Sequence, residues 1–189
     1  MSRLYLLAFT TLLAAPLPAL AQATPPPAPQ TITFAAQLNR GFQNVQRNVL
    51  EAAEKMPEAS YSFKPTPEIR PFGELVAHTA LTQFFNCAAL KGVDAPHKDD
   101  KEDAPRTKAE LVALMKESSD FCTPLFSAVK DEDLTALVKV QNNQIAKGVL
   151  IAGANTHGNE MYGTMCVYLR LKGIVPPTTE RQNAAKKSQ

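Results

Sequence analysis

Four stretches of this chain place an apolar residue at every third or fourth position, and prolines, a glycine and charged loops separate them. A helix turns about 100° per residue, so this spacing gathers the apolar side chains on one face. The first stretch runs from Thr33 to Lys55. It sets Phe34, Leu38, Phe42, Val45, Val49 and Ala52 against Gln37, Arg40, Gln43, Arg47 and Glu51, and Pro57 stops it. The second spans Pro71 to Lys91, with Phe72, Leu75, Val76, Thr79, Thr82 and Phe85 on one face. Pro71 suits a first turn, where its missing N–H costs nothing. The third opens with Thr107 and Glu110 in the spacing of a capping box, followed by Leu111, Leu114, Met115, Ser118, Cys122, Leu125 and Val129. The fourth runs from Ile145 to Lys172 through Val149, Gly153, Met161, Thr164, Met165, Tyr168 and Leu171, and Gly173 closes it as a C-cap. A short helix is expected over residues 131–138, and no segment reads as a convincing strand. The pattern predicts an all-α fold, a four-helix bundle with long connections between helices 1 and 2 and between helices 2 and 3.

The connections limit the topology. Residues 57–70 lack helical periodicity, and Pro65 and Pro67 hold them extended. Fourteen residues at about 3.3 Å each reach roughly 46 Å, whereas a helix of twenty-three is about 35 Å long. The first connection can therefore travel the whole length of the bundle, and the topology need not be simple up-down. Residues 92–106 form a charged loop that holds His97 as a solvated histidine. The domain plan is a signal peptide at 1–21, a proline-rich disordered leader at 22–32, the bundle at 33–177 and a disordered polar tail at 178–189.

Residues 1–21 read as a targeting segment. Arg3 supplies the positive end, Leu4–Leu13 a short apolar run, and Ala19-Leu20-Ala21 a small-x-small cleavage site. The run is too short to span a bilayer, and no later segment is long and apolar enough to do so. The expected mature chain starts at Gln22 and is periplasmic or secreted. Of the 20 basic residues Arg3 is lost with this segment, leaving 19 against 18 acidic ones. With no basic stripe interleaved with aromatics, nucleic-acid binding has no support. The three cysteines, Cys87, Cys122 and Cys166, include no C-x-x-C pair. An exported chain can keep disulfides, so either one bridge forms and one thiol remains, or all three are small buried apolar residues.

Histidine is scarce, and two of the three fall on apolar faces. His78 lies three residues after Leu75 and four before Thr82. His157 lies four after Gly153 and four before Met161. Both are expected to look inward, either as core histidines with satisfied nitrogens or as the polar heart of a site built between facing helices.

Two stretches carry a resemblance. One is Tyr61-Ser62-Phe63-Lys64-Pro65-Thr66-Pro67-Glu68 followed by Leu75-Val76-Ala77-His78. The other is His157-Gly158-Asn159-Glu160-Met161-Tyr162-Gly163 leading to Tyr168-Leu169-Arg170-Leu171-Lys172-Gly173-Ile174-Val175-Pro176-Pro177. Through them the chain resembles the DinB superfamily of four-helix-bundle proteins over most of residues 33–181, in particular its small exported members. The resemblance implies a divalent metal, zinc or nickel, held by one histidine of the second helix and two, four residues apart, of the last. His78 and His157 match the first two positions, and Met161 stands where the pattern has the third. A thioether is a soft ligand, better suited to Cu(I) than to zinc. Glu160, three residues after His157, offers an alternative third ligand, the other reading being a solvated helix-face carboxylate. The resemblance further implies a Cys87–Cys122 disulfide and dimerisation through helix faces. Three functions follow: a non-catalytic bundle that binds a small molecule or a partner, a metal-dependent hydrolase or thiol S-transferase, and a copper binder using His78, His157 and Met161.

Overall fold

A computed structural model describes residues 29–188. The expected signal peptide and most of the leader lie outside the described residues. Contacts divide the chain after Thr31. Of the N-terminal unit only residues 29–31 are described, and they carry no helix or strand. The second unit begins at Ile32 and contains α1 (Phe34–Lys55), α2 (Phe72–Lys91), α3 (Lys108–Ala128), a hairpin of β1 (Leu137–Val140) and β2 (Asn143–Ala146), α4 (Lys147–Leu171) and α5 (Pro177–Lys187).

Local chemistry sets the helix ends. The Thr33 hydroxyl accepts the Ala36 N–H at the start of α1. The Asp131 carboxylate, from the segment after α3, accepts the N–H groups of Phe34 and Ala35 at 3.3 and 2.7 Å. Donors that every helix start leaves unpaired are thus satisfied from almost a hundred residues away. Thr107 and Glu110 form the expected capping box of α3. Gly92 and Gly173 take left-handed φ values of 68° and 72° just past α2 and α4. Their N–H groups, and those of the residues that follow, return to carbonyls of the last turn.

α1 packs against α4 and α3, and α2 against α3 and α4. The first two helices therefore sit on the diagonal of the bundle, and the extended 57–70 connection carries the chain between them. The main core holds Val49, Met56, Phe72, Val76, Phe84, Met115, Met165 and Leu169. A second cluster gathers Phe42, Leu90, Phe126 and Ile151 around Cys87 and Cys122, which are joined in a disulfide. Cys166 is free and buried. α4 approaches α1 closely at Gly158, where a Cβ would stand 2.5 Å from Val45 Cγ1.

Four expectations are corrected. Residues 131–138 are not one short helix: a single turn at Asp131–Asp133 precedes strand β1. Residues 137–146 form an antiparallel hairpin, Leu137 opposite Ala146 and Val140 opposite Asn143, turning through Gln141 at a φ of 53°. α4 accordingly starts at Lys147 rather than Ile145, and Val149 and Leu171 face outward, as Phe34 and Phe85 do. The buried stripe of α4 keeps the expected Met161, Met165 and Tyr168 and adds Ile151, Gly158, Tyr162 and Leu169. The polar tail is helix α5. Pro177 opens it, and side chains tie it back: Arg181 to Glu51 and Asn48, Glu180 to Lys55, and Thr178 to the Tyr162 hydroxyl. These contacts pair charges distant in sequence, so the tail's composition alone does not reveal them. The all-α bundle stands, and among the described helices none is long and apolar enough to cross a membrane.

Candidate functional site

α2 and α4 bring His78 and His157 together. Their ring centroids lie 5.2 Å apart, with the planes at 79°. Each keeps a modest exposure, 17% of the His78 side chain and 27% of the His157 side chain. The pair thus sits at the edge of the α2–α4 seam rather than in its centre. Met161, one turn beyond His157, is 8% exposed and belongs to the main core.

The loop between α2 and α3 supplies a residue that the sequence reading missed. Glu102 Oε1 lies 2.5 Å from His78 Nδ1, and its Oε2 accepts from Arg70 Nε at 3.2 Å. Arg70 precedes Pro71 at the entry to α2, and its carbonyl accepts the Tyr168 hydroxyl at 2.5 Å. Burial alone would raise the Glu102 pKa, but the His78 contact and the Arg70 guanidinium together outweigh it and hold the carboxyl below its ordinary value. A carboxylate on Nδ1 favours a proton on that nitrogen and orients the ring.

His157 is placed differently. Its Nδ1 lies 3.6 Å from Glu160 Oε2, and 67% of the Glu160 side chain is exposed. Its Nε2 is buried without a partner among the described residues. With Gln46 and Gln83 the ring lines a cavity of about 20 Å³, where Gln46 Oε1 and Gln83 Nε2 also lack partners. That space suits about one water molecule and nothing larger. Burial first, and then the nearby His78 charge, lower the His157 pKa against the opposing pull of Glu160.

A pH dependence follows. The folded state binds the His157 proton less readily than the unfolded chain does, so stability is full above the ordinary imidazole value of 6.5 and falls as pH drops below it. The melting temperature is expected to decline between pH 7.5 and pH 5.5, with a shallower decline in His157→Gln. An unchanged slope in that variant would remove His157 as the cause. The Glu102 contribution is lost only at lower pH, as its depressed carboxyl titrates.

The donor set bears on the implied metal. Among the described residues no three His, Cys, Asp or Glu side chains come together as a ligand group. Beside the two imidazoles stand the Met161 thioether, the mostly exposed Glu160 carboxylate on the far nitrogen of His157, and Glu102, which Arg70 already holds. As placed, these side chains do not converge on the three-donor arrangement that an open zinc or nickel site needs. His97 stands apart in the α2–α3 loop, between Asp100 and Glu117 at 3.1 and 3.2 Å.

Comparison with known proteins agrees with the fold. A DinB-like protein from Bacillus cereus superposes with a TM-score of 0.65 at 16% identity, over 77% of this chain and 97% of that one. A DinB-like protein from Bacillus subtilis gives 0.59 at 22% identity, over 72% and 92%. A conserved protein of Enterococcus faecalis gives 0.59 at 17%, over 75% and 98%. No curated protein matches. The sequence model described as the DinB superfamily matches residues 42–165, which run from within α1 to within α4. The chain belongs to the DinB superfamily.

Proposed function

We propose that this protein is an exported DinB-like bundle that binds a small molecule or a partner without catalysing a reaction, and that its histidine pair is a closed remnant of a metal site. The observation that carries this reading is the Glu102 carboxylate clamped between Arg70 and His78, beside a core methionine where a third nitrogen ligand would be needed. Export is supported by the targeting pattern of residues 1–21 and by the Cys87–Cys122 bridge, since disulfides persist in oxidising compartments.

Elemental analysis of the processed protein, purified without chelator or histidine tag, tests the reading. The expected result is far less than one zinc or nickel per chain, and no uptake from micromolar solutions. Near-stoichiometric zinc or nickel that is lost in His157→Ala would overturn it, and would put the hydrolase or thiol S-transferase reading in its place. A soft-metal reading has one observation of its own: His157 leaves a buried Nε2 unpartnered one turn before the buried Met161 thioether. Cu(I) binding that Met161→Ala weakens by an order of magnitude would favour it.

A further inference from the structure

The chamber beside His157 is too small for an organic ligand. A space of about 390 Å³ lies beside Glu102, between the start of α2 and the α2–α3 loop, and two more lie at the other end of α4. One is a cleft of about 400 Å³ walled by Leu90, Leu125, Val129 and Ile151, with Lys91 and Lys147 on its rim. Those two lysines and Leu90 also border a broader trough of about 930 Å³ between the end of α2 and the hairpin. There Phe85, Val93 and Leu137 are exposed side chains, and Lys98 and Lys139 add further positive charge.

The charges are unbalanced. Lys98 is paired with Asp94 at 2.9 Å. The one other acid on the two walls, Asp133, accepts the Lys130 backbone N–H and keeps its charge, so Lys91, Lys139 and Lys147 stand against one carboxylate. Lys91 donates to the Phe121 carbonyl and lies 3.5 Å over that ring, so its partners are neutral. Among the described residues neither Lys139 nor Lys147 has an acidic partner. An apolar cleft of a few hundred Å³ with a small number of polar groups at one end is the usual form of a small-molecule site. Here two of those groups, Lys91 and Lys147, are cationic and one, Asp133, is anionic, which leaves the cleft an excess of positive charge.

We propose that this cleft binds an amphiphilic carboxylate of the fatty-acid class, its chain along Leu90, Leu125, Val129 and Ile151 and its carboxylate between Lys91 and Lys147. The assignment rests on the reading of the chain as a binding bundle and names the ligand class. Lys147 precedes His157 by ten residues, about 15 Å along α4. Metal content and ligand binding are therefore read independently, and either can fail alone.

The test is a titration of the isotope-labelled processed protein with dodecanoate below its micelle concentration, followed by amide shifts. Dodecan-1-ol and dodecyltrimethylammonium serve as controls. Saturable shifts are expected at Leu90, Lys91, Leu125, Val129, Lys147 and Ile151. Lys147→Gln should weaken dodecanoate about fivefold, the scale of one exposed ion pair, and leave the alcohol unaffected. Ala128→Glu, an exposed substitution on the rim that adds both bulk and a like charge, should abolish dodecanoate binding at an unchanged melting temperature. No saturable shift, equal affinity for the alcohol or the cation, or indifference to Lys147→Gln would overturn the proposal. Concentration-dependent shifts of the same amides without ligand would overturn it too, by giving the cleft to a second copy of the chain.

Discussion

Replacing both Cys87 and Cys122 with alanine is expected to lower stability by about 4 kcal/mol. The bridge spans 35 residues of chain, and closing a loop of that length removes much of the freedom of the unfolded state. It joins α2 to α3 inside the smaller of the two clusters, where Phe42 stacks on Phe126 with centroids 3.9 Å apart. The apolar side chains around it, Phe42, Leu90, Phe126 and Ile151, come from all four long helices, and the bridge is the one covalent tie among them. Urea unfolding of the double variant reads the loss directly, and the melting temperature should fall by about 10 °C or more. A loss under about 1 kcal/mol would mean that apolar packing alone holds the cluster.

Phe72→Ala is expected to cost about 3–5 kcal/mol and also to disturb the histidine pair. Phe72 is fully buried at the first turn of α2. It meets Tyr61 edge-on at 5.2 Å and Tyr168 at 5.8 Å. The Tyr168 hydroxyl in turn holds the Arg70 carbonyl, and the Arg70 side chain holds Glu102 against His78. A cavity at Phe72 removes the support beneath that relay. The variant should therefore show both a lower urea midpoint and altered imidazole resonances for His78. Phe72→Leu keeps most of the volume and should cost about 1.5 kcal/mol or less. Unchanged His78 resonances in a clearly destabilised Phe72→Ala would separate the core from the relay.

The sequence disclosed those parts of the fold that local chemistry decides. Thr107 with Glu110, and Gly173 past the last turn, signal helix ends through bonds made within a few residues. His78 and His157 were legible because helical spacing fixes the side of a helix on which a residue lies. The hairpin was not, because a strand of four residues offers too little alternation to outweigh a helical reading, and its turn at Gln141-Asn142 lacks glycine. Its omission carried the start of α4 to Ile145 and placed Val149 on the wrong face. Glu102 and Arg70 escaped for a related reason. They sit in connections without period, and only the folded path of the 92–106 loop brings a carboxylate over α2. α5 was hidden because its partners, Glu51, Lys55 and Tyr162, are more than a hundred residues away for the first two and on another helix for the third.

The diagonal placement of α1 and α2 also governs the order in which the chain can fold. As it emerges from its N-terminal end, α1 comes first but has no neighbour in α2. Its apolar stripe must wait for α3 and, beyond that, for α4, whose first turn begins ninety-two residues after the last residue of α1. Asp131, which caps the start of α1, arrives only shortly before α4. Contacts between distant segments slow folding, and here they make the whole bundle depend on its last long helix. α2 and α3, neighbours in sequence as well as in space, are the one large helix pair that can meet early. A chain built this way gains most of its native contacts only when nearly all of it is available, a property that would suit the export proposed above.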